Sequence, residues 1–118
     1  MERCARSISA FVGLVLAAGA CLPVLASPEA LERARRLLNE SNPKQAYMEL
    51  IKLEAQLAGN IDYDYLLGVA SLDSGKIEDA IIAFERVLAV NPNHAGAQMD
   101  LARAYFVAGS FDLAEAAF

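Results

Sequence analysis

The stretches DSGKIEDAIIAF, residues 73–84, and AGSFDLAEAAF, residues 108–118, carry one pattern. Aligning Gly75 with Gly109 places Ala80 on Ala114, Ala83 on Ala117 and Phe84 on Phe118, each pair 34 positions apart. The offset holds upstream, where Leu67 falls on Leu101 and Gly68 on Ala102. One period earlier, Ala34, Ala46 and Leu50 underlie Gly68, Ala80 and Phe84. A fixed period in a helix-patterned sequence marks stacked copies of one supersecondary unit, each too small to bury its own apolar face.

Within each period the residues spell two amphipathic helices joined by a tight turn. Ser27, Pro28 and Glu29 read as a helix start, with a capping hydroxyl, a proline at the first helical position and an acid near the positive end of the dipole. Asn42, Pro43 and Gln45 repeat that grammar and add a glutamine for a capping box. Gly75 and Gly109 are placed to end helices in the left-handed conformation. Asn91, Pro92 and Asn93 should stop one helix and cap the next, and Ser110 should cap a last helix from Phe111 to Phe118. Gly68 facing Ala80, and Ala102 facing Ala114, let the two helices of a hairpin approach. Leu67, Leu72, Ile77, Ile81, Phe84 and Leu88 fall at helical spacing around that contact and are core candidates.

A period of 34 with these residues resembles the tetratricopeptide repeat family. Residues 61–94 carry the resemblance best, with LLG at 66–68 followed by Gly75, Ala80, Phe84 and Pro92 at the family's spacing. Residues 95–118 form a truncated copy, with Leu101, Ala102, Tyr105, Gly109, Ala114 and Phe118 in register, and residues 27–60 form a weaker first copy. Asp64 stands where the family often has Trp, and Ser71 where it often has Tyr. The resemblance implies an all-α fold, a right-handed solenoid of stacked antiparallel helix hairpins.

It also implies a concave groove lined by the first helix of each repeat. Carried onto this sequence, the groove holds Leu31, Arg35 and Leu38, then Asp62, Tyr65, Val69 and Leu72, then Met99, Arg103 and Phe106. Arg35 and Arg103, two periods apart, would hold acidic groups of an extended protein or peptide, while Tyr65, Met99 and Phe106 contact its side chains. The alternative is that these side chains pack on neighbouring helices. Members that grip chaperone C-terminal carboxylates carry Lys and Asn at the positions of Tyr65 and Val69, so that clamp is not implied. A third copy that ends early leaves open the face to which Leu101, Tyr105, Ala114 and Phe118 contribute, which favours self-association or fraying.

The first 26 residues differ from the rest. Arg3 and Arg6 precede an uncharged run, SISAFVGLVLAAGACLPVLA, ending with Val24 and Ala26 placed as at a signal-peptidase site. This reads as a secretory signal cleaved after Ala26, followed by a repeat domain over residues 27–118. Two alternatives stand beside it. The run is close to the length of a membrane anchor, and Ala18, Gly19 and Ala20 before Cys21 loosely resemble a lipobox, which would make Cys21 a lipidated N-terminus. Cys4 and Cys21 are the only cysteines, so cleavage after Ala26 leaves no thiol chemistry.

Composition removes several function classes. Ten Lys and Arg against fifteen Asp and Glu, scattered along the chain, give no basic stripe for nucleic acid. His94 is the only histidine and has no Cys or carboxylate cluster beside it, so it reads as a loop residue rather than a metal ligand or general base. Asp62, Asp64, Glu78 and Asp79 lie near helix N-termini, where negative charge is favourable in itself. Ser71, Ser74 and Ser110 have no neighbouring histidine, and no glycine-rich phosphate cradle occurs. The expectation is an exported, non-catalytic protein-interaction scaffold in the periplasm, with no cofactor, metal or small-molecule substrate. The signal and repeats together are similar to the N-terminal regions of surface lipoprotein assembly modifiers, which implies an outer-membrane association. Two rivals are a docking module for an exported enzyme whose catalytic domain lies beyond residue 118, and a lipid-anchored adaptor held through Cys21.

Overall fold

Three successive hairpins build the chain in the computed structural model, which describes residues 28–118. The signal segment, its cleavage position, Cys21 and the Ser27 cap lie outside the described residues. The first hairpin is α1 (Pro28–Asn39) and α2 (Pro43–Ile51), followed by a single turn, α3 (Glu54–Leu57). The second is α4 (Ile61–Asp73) and α5 (Ile77–Val90), and the third is α6 (Ala95–Val107) and α7 (Phe111–Ala117). The starts of α2 and α5, α4 and α6, and α5 and α7 are each one 34-residue period apart, so the repeat read from sequence is the repeat of the fold. No strand occurs among the described residues, and no helix among them is long and apolar enough to cross a membrane.

The turns inside the hairpins are built alike. Gly75 N–H donates to the Leu72 carbonyl at 3.1 Å and Lys76 N–H to the Ser71 carbonyl at 2.8 Å. The same crossed pair recurs at Gly109 and Ser110, to Phe106 (3.0 Å) and Tyr105 (2.9 Å). These are Schellman caps, whose turning residue must adopt a left-handed backbone, and Gly75 and Gly109 have φ of +81° and +79°. The first hairpin turns the same way one period earlier, on Ser41, with φ of +59° and bonds from Ser41 and Asn42 to Leu38 (3.1 Å) and Leu37 (2.8 Å).

Several expected caps are differently made. Asn42 makes no side-chain cap to α2, and its amide instead reaches Gln45 Oε1 at 3.4 Å, so the capping box does not close. Ser110 makes no side-chain cap to α7, which runs to Ala117. His94, and not Asn93, caps α6, its Nδ1 accepting the Ala97 N–H at 3.0 Å. Asn91 Oδ1 accepts the Asn93 N–H at 3.2 Å and thereby shapes the connecting turn. Asn60, unremarked in the sequence, caps α4 by accepting the Tyr63 N–H at 3.1 Å.

Two apolar clusters fill the stack. One joins Ala34 and Leu37 of α1, Ala46 and Leu50 of α2, Ala83 of α5, and Tyr63, Leu66, Leu67 and Ala70 of α4. The other joins Leu72, Ala80, Phe84 and Val87 with Ala97, Leu101 and Ala104 of α6, and Ile77, Ile81 and Leu88 pack against it. First helices of successive repeats are in contact, α1 with α4 and α4 with α6. Ala46, Ala80, Ala102 and Ala114 are buried as the hairpin contacts require. The nearest neighbour of Gly68, however, is Phe84 and not Ala80. A β-carbon on Gly68 would sit 2.5 Å from the Phe84 ring, so the glycine makes room for the largest apolar side chain of its own hairpin.

The first repeat departs from the pattern at its second helix. Where α5 runs unbroken, α2 stops at Ile51 and the chain resumes helix only at Glu54. The cause is Tyr63, fully buried, whose hydroxyl donates to the Leu50 carbonyl at 2.7 Å. Leu53 N–H turns tightly onto the same oxygen at 2.9 Å. A side chain inserted into the helical ladder in this way interrupts it. Burial pushes the Tyr63 phenol up to about 12, so the hydroxyl keeps its proton.

Candidate partner-binding face

The sequence-derived groove positions occupy equivalent places on α1, α4 and α6, yet they differ in what covers them. Leu31 and Leu38 are half-buried against the first cluster. Tyr65 and Val69 are half-buried against the second, and Leu72, at 7 % exposure, is a core residue that offers little to a partner. Met99 and Phe106 are 66 % and 61 % exposed. In the first two repeats, then, the apolar members of the row are packed against neighbouring helices, and in the third they face solvent. Asp62 is exposed on the first turn of α4.

Tyr65 is the most constrained of these side chains. Its ring packs at a tilt on His94 (4.9 Å) and Phe84 (6.0 Å), and its hydroxyl donates to Asp100 Oδ2 at 3.1 Å. Gly96 is what lets α6 approach, since a β-carbon there would lie 2.8 Å from the Tyr65 hydroxyl. Burial and the Asp100 carboxylate both raise the Tyr65 phenol above its ordinary value. The side chain thus ties α4 to α6 more than it reaches outward.

The two arginines are already engaged. Arg35 donates to Glu32 at 2.8 Å, and Arg103 lies 3.2 Å from Asp73 and 3.6 Å from Asp100. Exposed pairs of this kind contribute little to stability, about 0–1 kcal/mol, but they neutralise the charge that an acidic partner would seek. The apolar side chains therefore distinguish the face. Met99, Phe106 and Phe118 surround an open pocket of ≈ 470 Å³ together with Asp100 and Arg103, and the Phe111 ring meets Phe106 edge-on at 5.3 Å.

The structure also holds a charged centre that the sequence did not disclose. Asp64 is fully buried rather than a solvated helix-start acid. One of its oxygens accepts the Gly59 N–H at 2.8 Å, and the other lies 3.0 Å from Arg86 Nε, at an angle that makes no hydrogen bond. Arg86 extends its other arm to Glu54 on α3 at 2.8 Å. Burial, outweighing the Gly59 and Arg86 contributions, raises the Asp64 carboxyl above its ordinary value. Asp79 likewise does more than favour a dipole, accepting the Tyr47 hydroxyl at 2.7 Å and so joining α2 to α5. Tyr47–Asp79 and Arg86–Glu54 each span 32 residues and Asp64–Arg86 joins two different helices, so none is visible as a local pattern.

Residues 65–118 match the tetratricopeptide repeat family. The matched segment begins on α4 and takes in α5, α6 and α7. It supports the reading of the chain as a tetratricopeptide repeat protein, and with it a module for protein–protein interaction. No curated protein and no solved structure matches the chain. Among the described residues no group of three or more His, Cys, Asp or Glu is placed to hold a metal ion.

Proposed function

We propose that the chain is an exported, non-catalytic scaffold that binds a protein or peptide along the row of first helices, working in the periplasm as part of an outer-membrane or surface-assembly system. The observation that carries the binding role is the regular row on α1, α4 and α6, which offers Arg35, Tyr65, Val69, Met99, Arg103 and Phe106 to solvent at least in part. A right-handed superhelical stack would curve this row into a groove. Export rests on Arg3, Arg6, the uncharged run and the Ala26 site. The place in outer-membrane assembly rests on the resemblance to assembly modifiers alone.

The binding role is tested on the two repeats away from the C-terminal face. Arg35→Glu with Val69→Lys reverses one charge of the row and adds another, while the lysine stem still covers apolar surface. Crosslinking of the exported protein in cells should trap defined partners with wild type and lose the same partners with the variant, at unchanged helical circular dichroism. Identical partner sets would remove the row as a binding surface. Mass spectrometry of the mature N-terminus tests export: a start at Ser27 supports cleavage, an acylated Cys21 points to the lipid-anchored adaptor, and an intact Met1 counts against both.

A further inference from the structure

We propose that the outer face of the second helices, α2 with α3 and α5, is a two-fold self-association surface, on which each α2 lies along the α5 of a second copy of this chain. The face is separate from the row on the first helices. Met48 lies midway between buried Ala46 and Leu50, and Ile82 midway between buried Ala80 and Phe84. A helical residue two positions from its neighbours points to the other side of the helix, and Met48 and Ile82 are 59 % and 52 % exposed.

The repeat places the rest of the face in register. One turn before Met48 and Ile82 stand Lys44 and Glu78, and two turns after them Ala55 and Ala89, all four exposed. Each of these pairs is separated by the same 34 positions. The apolar and small residues therefore match from repeat to repeat, whereas the charge changes sign. Neither Lys44 nor Glu78 forms an ion pair among the described residues.

That change of sign selects both the occupant and its orientation. As second helices of stacked hairpins, α2 and α5 run side by side in the same direction. A two-fold axis across the helices would lay α2 antiparallel on α2, and α5 on α5. Lys44 would then meet Lys52, and Glu78 would meet the exposed Glu85, so like charges oppose this arrangement. An axis along the helices exchanges them and lays α2 parallel on α5. Lys44 then meets Glu78, Met48 meets Ile82 and Ala55 meets Ala89, each contact made twice, and the alanines let the helices approach. Lys52 falls opposite Arg86, whose guanidinium is turned onto Asp64 and Glu54, with Glu85 exposed next to it.

The area fits a weak dimer. A helix of 14 residues such as α5 is about 21 Å long and roughly 11 Å wide with its side chains. Two of them side by side offer roughly 450 Å² per copy, so the pairing buries on the order of 900 Å², at the low end for a specific interface. Because the axis uses both halves of the face at once, the dimer is closed and does not grow further.

Sedimentation velocity on the protein recovered from expression of the full chain should show a monomer–dimer equilibrium in roughly the 10–100 micromolar range. Lys44→Glu sets acid against Glu78 twice by symmetry and should raise the dissociation constant about tenfold. An acid in the first turn of α2 is favourable to the helix, so this loss does not come from unfolding. Glu78→Lys should weaken association similarly, at unchanged helical circular dichroism. In an equimolar mixture of the two variants each contact again joins an acid to a lysine, so a mixed dimer should form, and the double variant should dimerise like wild type. A monomer throughout a series reaching about ten times that range overturns the proposal, as does growth beyond the dimer. So do single variants without effect, recovery in neither the mixture nor the double variant, and stronger association in Lys44→Glu, which would mark α2 lying on α2.

Discussion

Ser41 is the one described residue other than glycine with a positive φ, and it sits one period before Gly75 and two before Gly109. All three close the same crossed hydrogen-bond pair, so the fold imposes the left-handed conformation at position 41 whatever the side chain. An L-residue with a β-carbon occupies that region at a cost of about 1–2 kcal/mol, which glycine escapes. Glycine also widens the unfolded ensemble, which returns roughly 0.5–1 kcal/mol of that gain. The difference leaves Ser41→Gly more stable by about 0.5–1 kcal/mol. For a domain of this size that is a rise in melting temperature of roughly 2–8 °C. The assay is thermal unfolding followed by circular dichroism at fixed, low protein concentration, so that association does not contribute. Gly75→Ser is the reciprocal control and should lower stability by a similar amount. A Ser41→Gly melt equal to or below wild type would refute the reasoning, because it would show that the turn carries no strain for glycine to relieve.

Other substitutions probe the packing and the buried charges. Gly68→Ala places a β-carbon against the Phe84 ring and should cost about 1–3 kcal/mol through overpacking, read as a lower urea midpoint. Tyr63→Phe removes the hydroxyl that occupies the Leu50 carbonyl and should cost about 1–2 kcal/mol, with helical ellipticity equal to or above wild type because the ladder between α2 and α3 is free to close. Arg86→Met strands Asp64 and should cost about 3 kcal/mol at neutral pH. For Asp64 itself, a folded pKa above the unfolded value means that the folded state binds more protons between the two. Wild type should therefore lose stability relative to Asp64→Asn as pH rises from 3.8 through the raised value, and regain it as pH falls; a constant difference would refute the shift.

The period, the left-handed glycines and the small hairpin residues were legible because each is a local requirement repeated at a fixed distance. Gly75 and Gly109 announce a turn on their own, and their equivalence to Ser41 is available once the period is known. The serine gave no signal, since a residue in a strained conformation looks like any other in sequence. Caps were less legible. Asn42, Ser110 and His94 all precede helices, but which side chain turns back onto the helix depends on backbone angles that adjacent residues do not fix. His94 has φ of −73° and ψ of 95° and accepts the Ala97 N–H, whereas Asn42, at −117° and 58°, caps no backbone N–H of its helix.

Asp64 marks a different boundary. At a helix N-terminus an acid is favourable whether it is solvated or buried, so its presence there does not distinguish the two. What decides is Arg86 on α5 and Glu54 on α3, brought together only when repeats stack. The place where the family often has Trp is filled here by a carboxylate whose oxygen holds the Gly59 turn, and the cluster of Asp64, Arg86 and Glu54 joins the first and second repeats beside the Tyr63 and Tyr47 hydroxyl bonds. The same junction contains the break in the helix at Lys52 and Leu53 and the buried Tyr63 hydroxyl that causes it. The matched family segment begins at residue 65, just beyond this junction. Asp64, Tyr63 and the interrupted helix lie at that edge, where the first and second repeats keep the stacking of the later ones through a different set of side-chain contacts.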